Sequence, residues 1–128
     1  MILSDEQIEN TIALVKTAFP HFQEWEYHNC IDQDYTGFSV WGIFSHGADF
    51  PCQTDFFITF DTNADQWAGY LSVGQPAYFW SSADCGDAYL LSTERYDTLD
   101  EAIEHLKLEI LNLFKIFTAC TDEVPRSP

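Results

Sequence analysis

Basic residues are scarce in this sequence. Its 128 residues include five Lys and Arg against twenty-one Asp and Glu, which gives a formal net charge of −16 at pH 7. Nucleic acids and anionic membranes bind basic surfaces, so we expect neither to be a direct partner. The charge instead favours a basic protein partner or cations. The alternative, that the acids only keep the protein in solution, stays open because charge bears on solubility as much as on partners.

The sequence also lacks long apolar runs and paired cysteines. No stretch approaches the eighteen or so apolar residues of a membrane span, and the opening segment MILSDEQIEN lacks the basic and apolar regions of a signal peptide. Cys30, Cys52, Cys85 and Cys120 are scattered and form no CxxC pair. We therefore expect a cytoplasmic protein with free thiols, and neither a disulfide, a structural metal nor a cofactor.

Sequence motifs for catalysis are missing as well. The chain has no G-x-S-x-G elbow, no glycine loop of the phosphate-binding types and no Cys–His nucleophile signature. Asp84 and Asp87 lie beside Cys85, and like charge disfavours the thiolate that a reactive cysteine needs. We therefore predict no catalytic residues, and an enzyme is the less favoured class of protein.

One segment begins like a calcium-binding loop without completing it. Asp61, Asn63 and Asp65 match the alternating oxygen ligands at the start of such a loop. Gln66 then stands where the loop requires Gly, and Ser72 where it requires a bidentate Glu. Turn-forming residues explain the same segment, so we predict a polar hairpin loop over DTNADQ and no calcium site.

Core material, by contrast, is plentiful. Hydrophobic residues make up 46% of the chain and aromatic residues 16%, which suffices for a single domain over residues 1–128 with a loose tail at 121–128. Residues 4–19 predict a helix because Ser4 and Gln7 have capping-box spacing and Pro20 ends the apolar stripe.

A second helix is predicted over residues 98–118, where Thr98 and Glu101 repeat the capping-box spacing. Its apolar stripe is continuous and consists of Leu99, Ile103, Leu106, Ile110, Phe114 and Phe117. Leu108 and Ile116 fall outside that stripe. A homodimer formed through this helix would bury them, although single exposed apolar residues are also normal on a protein surface.

Between the helices the chain alternates in ways typical of strands. Four strands are predicted at 22–31, 38–45, 56–60 and 67–73, with short additional ones at 77–80 and 88–93. The fold class is therefore α+β: an N-terminal helix, an antiparallel sheet of four to six strands and a C-terminal helix, with both helices packed on one face. The second face also carries apolar residues and needs a cover, which could be the long loops, a second subunit or a partner.

The segment DTLDEAI at residues 97–103 resembles the strand-to-helix junction of HicB-type antitoxins, which also pair a small antiparallel sheet with a helix. The resemblance is confined to that segment and consists largely of a helix-capping sequence. It implies the strand-to-helix order already predicted, and we assign the chain to no family.

The leading functional hypothesis is a non-catalytic acidic protein that neutralises a basic partner, as immunity proteins, antitoxins and nuclease inhibitors do. Carboxylates would steer the partner and rigid aromatic side chains would anchor it. The candidate partner-binding residues lie on the first strand, in its turn and around the DTNADQ loop: Glu24, Trp25, Glu26, Asp32, Asp34, Asp61, Asp65 and Trp67.

Two further classes of function remain open. The first is a small-molecule-binding or enzymatic domain whose pocket has aromatic walls and a few acids that hold a cationic ligand. The second is a structural homodimer that associates through the C-terminal helix. An aromatic-walled pocket in the structure would favour the first of these, and a flat acidic face would favour the neutralising protein.

Overall fold

The computed structural model describes residues 3–31, 36–47, 53–74, 76 and 89–119. Two helices enclose a run of five strands in the chain order α1 (Asp5–Ala18), β1 (Gln23–Ile31), β2 (Thr36–His46), β3 (Thr54–Asn63), β4 (Gln66–Val73), β5 (Tyr89–Ser92) and α2 (Leu99–Thr118). The predicted α+β fold class is therefore confirmed. The strand predicted at 77–80 and the tail at 121–128 lie outside the described residues.

Both helices begin where their capping sequences predict. The backbone N–H of Gln7 donates to Ser4 Oγ at 3.2 Å, and the backbone N–H of Ser4 donates to Gln7 Oε1 at 2.8 Å, which completes the capping box. At α2 the backbone N–H of Glu101 donates to Thr98 Oγ1 at 3.2 Å. Neither helix in the described part of the chain has the length and apolar content needed to span a membrane.

The sheet is a meander in which every strand pairs antiparallel with the next, in the spatial order β1-β2-β3-β4-β5. The loop predicted over DTNADQ is wrong in its extent, because β3 and β4 are joined by Ala64 and Asp65 alone. Both residues have positive φ, 52° and 63°, as a two-residue hairpin turn with the right-handed twist of the strands requires. Asp61 is consequently a strand residue, opposite Ser39 on β2 and Ala68 on β4.

Strand β1 contains a bulge near its start. Glu24 and Trp25 together face the single residue Gly42 of β2, and Glu24 has a φ of 53°. A side chain at position 42 could not be accommodated, since a Cβ there would lie 2.6 Å from the Trp25 ring. The bulge thus lets a tryptophan pack directly on the backbone of the neighbouring strand.

Both helices cover one face of the sheet, as the apolar stripes predict. The buried apolar strand residues of this face are Phe38, Val40, Ile58, Phe60, Trp67 and Leu71. The helices contribute Ile8 and Val15 from α1 and Leu99, Ala102, Ile103 and Leu106 from α2. These residues form a single core cluster, and its apolar burial is the main term that stabilises the fold.

The two ends of this helix-covered face differ. At one end, which we call the closed end, Phe38, Phe60 and Trp67 pack under the first half of α2. At the other, which we call the open end, Phe44 pairs with Phe56 across β2 and β3, and both side chains are only partly buried. The open end is where the strands and helices leave a gap.

The opposite face of the sheet is covered within the single chain at its centre. Thr59 and Ser72 point away from the helices and are fully buried. The centre of this face is therefore buried within one chain, and what covers the rest of it stays a prediction. Nearby, Arg95, which follows β5, hydrogen-bonds to Asp61 on β3 and to Tyr70 on β4.

Candidate functional site

A cavity of about 890 Å³ occupies the open end, between the sheet and the second half of α2. Four apolar strand residues line it: Phe44, Phe56, Ile58 and Leu71. Ile58 and Leu71 are buried and form its floor, whereas Phe44 and Phe56 are partly exposed at its side. The volume lies within the range of about 300–1,000 Å³ that is usual for small-molecule sites.

The chain segment after α1 supplies an aromatic wall. Phe19 ends that helix as its C-cap, and the short connection to β1 places Phe22 beside it, with ring centroids 6.1 Å apart at 77°. Phe22 in turn lies 5.8 Å from Phe44. Pairs of rings at such distances and angles pack favourably beyond their area of contact. This wall is therefore held in place by contacts between its own side chains.

The second half of α2 supplies the other wall, which is open to solvent. Ile110, Leu111 and Phe114 line the cavity, yet Leu111 and Phe114 keep 56% and 49% of their surface exposed. Leu108, Ile116 and Phe117 are also exposed on this half of the helix. Apolar surface concentrated in this way typically marks a ligand or partner site.

The polar side chains that line the cavity are all basic or neutral: His21, His46 and Lys107. All three are exposed, so they form a rim around the apolar floor. The Lys107 ammonium lies 5.9 Å from the centroid of the Phe19 ring, within cation–π range. The aromatic walls match one of the sequence-based hypotheses, but among the described residues no Asp or Glu lines the cavity to hold a cationic ligand.

The partner-binding residues predicted on β1 lie elsewhere but lie together. Glu24, Trp25 and Glu26 line a recess of about 290 Å³ with Trp41, Ile43 and Phe57. The two carboxylates are exposed, and the aromatic side chains are partly buried. The Trp25 indole N–H donates to the carbonyl oxygen of Phe22 at 3.1 Å, which fixes the ring at the edge of this recess.

The other predicted residues are not part of that recess. Asp65 is exposed in the β3–β4 turn, and Trp67 is a buried core residue whose backbone pairs with Tyr96. Asp32 and Asp34 lie outside the described residues. The structure thus brings three of the eight candidates together, and the proposed role of each in partner binding stays a prediction.

Asp61 forms an ion pair instead of lying free in a loop. Arg95 Nη1 donates to Asp61 Oδ1 at 2.8 Å, and Arg95 Nη2 donates to the Tyr70 hydroxyl at 3.1 Å. Burial raises the pKa of the Asp61 carboxyl above its ordinary value, although the Arg95 charge opposes that rise. This pair explains Asp61 structurally, so the partial resemblance to a calcium loop has no counterpart in the fold.

No group of three or more His, Cys, Asp or Glu side chains within the described ranges is arranged to hold a metal ion. Cys52, Cys85 and Cys120 lie outside those ranges, and only the backbone of Cys30 is described. For the described residues, the open-end cavity and the β1 recess are therefore the arrangements best suited to a binding role.

Sequence analysis did not identify the cavity residues as a site. The one sequence feature that points to the cavity is the length of the apolar stripe on α2. This stripe continues to Phe114 and Phe117, whereas the last buried residue of the helix is Leu106. The chain matches no model of a known protein family, no curated protein sequence and no solved structure.

Proposed function

We propose that this protein binds an apolar small molecule in the open-end cavity. The observation that carries the proposal is a cavity of about 890 Å³ whose walls are almost entirely aromatic and aliphatic. Each Å² of apolar surface removed from water contributes about 25 cal/mol, so a ligand that fills such a site gains substantial affinity from burial alone. We expect this binding to take place in the cytoplasm.

A matched pair of leucines on α2 tests this proposal. Leu111 lines the cavity and Leu108 does not, yet they are 56% and 52% exposed on the same helix. A neutral fluorescent probe such as N-phenyl-1-naphthylamine should bind saturably to the wild type. Leu111→Asn should weaken that binding by about fivefold or more, since a buried unpaired amide costs about 1–3 kcal/mol.

Leu108→Asn should leave the affinity of the probe within about twofold of the wild type, because single exposed substitutions change little. Equal losses in both variants, or the lack of saturable binding to the wild type, would contradict a site in this cavity. Thermal unfolding of each variant serves as the control that the fold is intact.

A second candidate function, the neutralisation of a basic protein partner, is favoured by the β1 recess. We propose that a Lys or Arg side chain of that partner enters the recess between Glu24 and Glu26 and contacts Trp25 and Trp41. Charge pairs flanking an aromatic contact combine steering with a cation–π interaction. An immunity protein, antitoxin or nuclease inhibitor would use such a site.

The control for this candidate must change the net charge by the same amount at a distant surface. An arginine-containing peptide should bind the Glu24→Gln, Glu26→Gln double variant about fivefold more weakly than the wild type. Its binding to the wild type should weaken steeply as the salt concentration rises. Glu6→Gln with Glu9→Gln removes the same charge from the exposed side of α1. Equal weakening by both pairs would show that the peptide responds only to the overall charge.

A further inference from the structure

The rim of the open-end cavity differs in charge from the rest of the protein. The chain carries twenty-one Asp and Glu, yet none of those in the described ranges lines the cavity, while Lys107, His21 and His46 do. Lys107 is one of only five Lys and Arg in the sequence. The placement of basic groups around an apolar floor thus runs against the composition of the chain.

Lys107 is also available to a ligand. Its ammonium packs over the Phe19 ring and forms no ion pair with the carboxylates of the described residues. Asp100 and Glu104, on the same helix, line a neighbouring groove together with Lys107 and do not line the cavity. An ammonium held at the edge of an apolar site can donate to an anionic group of a bound molecule.

We infer that the ligand is an amphiphilic monocarboxylate of the fatty-acid type, an inference that rests on the proposed binding function. Its hydrocarbon chain lies toward Ile58 and Leu71 on the floor, and its carboxylate lies at the rim, where Lys107 donates to it. His21 and His46 supply further N–H donors at the same rim. An apolar chain with a single anionic end matches the change from buried apolar floor to exposed basic rim.

The net charge of −16 does not exclude an anionic ligand. Exposed charges more than a Debye length away, about 8 Å at physiological ionic strength, are largely screened. Asp100 and Glu104 share a groove with Lys107 and oppose an anion there, but the described residues that line the cavity itself include one cation and no anion.

The test compares dodecanoate with dodecanol and dodecylamine, each below its micelle-forming concentration, in competition with the neutral probe. The wild type should bind dodecanoate about three- to tenfold more tightly than dodecanol, as an exposed charge-assisted hydrogen bond allows. Lengthening the carboxylate should tighten binding by about fourfold per methylene until the cavity is filled.

Lys107→Gln should remove the advantage of dodecanoate and leave dodecanol unchanged, whereas Lys107→Arg should retain most of it. Lys115→Gln is the matched control, because Lys115 lies on the same helix and does not line the cavity. Equal binding of the acid and the alcohol, tighter binding of the amine, or equal effects of the two Gln variants would overturn the inference while the proposed function stands. Failure of all three compounds to displace the bound probe would also overturn it.

Discussion

The closed and open ends of the helix-covered face are built from the same strands and the same kinds of residue, and they pack differently. At the closed end, Ala102 and Leu106 of α2 fill the space above the sheet, and even a Cβ at Gly69 would lie 2.6 Å from the Phe60 ring. At the open end, the same helix leaves Leu111 and Phe114 half exposed beside a cavity.

This difference shows that one helix has two separable roles. Its first half, up to Leu106, closes the core, and its second half forms a wall that a ligand can contact. Substitutions along α2 should therefore affect stability and binding at different positions. The experiments below test this division, and their expected effects decrease in order.

The largest effect is expected at the closed end. Leu106→Ala should lower the free energy of unfolding by about 2–5 kcal/mol, because the side chain is fully buried and a cavity would remain. Urea denaturation followed by tryptophan fluorescence measures this change. A loss below about 1 kcal/mol would mean that the closed end is not tightly packed.

An effect of intermediate size is expected for the ion pair between Arg95 and Asp61, on the opposite face of the sheet. Arg95→Met should cost about 1–2 kcal/mol near neutral pH, since it leaves the largely buried Asp61 carboxylate without its cation. The side chains of Arg95 and Asp61 are 31% and 19% exposed, which moderates the loss. Urea denaturation of the variant and the wild type at a series of pH values measures the difference.

The pH dependence of that difference has a definite sign. Burial raises the folded-state pKa of Asp61 above its ordinary value of 3.8. The folding stability that comes from this raised pKa is therefore present at pH values below 3.8 and is lost as the pH rises through the folded-state pKa. Removing Arg95 raises the folded pKa further. The destabilisation by Arg95→Met should therefore be largest near neutral pH and shrink on acidification, and a penalty independent of pH would argue against the ion pair.

The smallest effect is expected at the end of α2. Phe117→Ser should change the free energy of unfolding by less than about 0.5 kcal/mol at low protein concentration, because 71% of that side chain is exposed. If the proposed homodimer forms, the wild type should gain stability as the protein concentration rises, and the variant should not. Light scattering that finds a monomer at high concentration would remove the homodimer proposal.

The elements of this fold could be predicted because their determinants are local. Ser4 and Thr98 each cap a helix through a residue three positions later, and alternating residues mark the strands. The β3–β4 loop was predicted too long because Asp61 resembles a turn residue. In the structure Asp61 pairs with Ser39 and Ala68, and its side chain binds Arg95, which lies 34 residues further along the chain.

The cavity could not be predicted because it depends on a mismatch between elements. The α2 stripe looks continuous from Leu99 to Phe117, and nothing in its spacing shows that burial by the sheet stops near Leu106. Trp67 is the opposite case, a residue that the sequence suggested to be exposed and that is buried in the structure. Its place after a polar turn suggested an exposed anchor, whereas the register of β4 directs its ring toward Phe38, 6.0 Å away in the core.

The sequential order of the meander has a consequence during protein synthesis. Each strand pairs with the one made just before it, so the sheet is able to assemble progressively as the chain leaves the ribosome. Residues 99–118, which cover Phe60 and Trp67 at the closed end, are made after all five strands. Until they emerge, the part of the apolar face that α2 covers stays exposed on the nascent chain, and exposed apolar surface of this kind promotes aggregation.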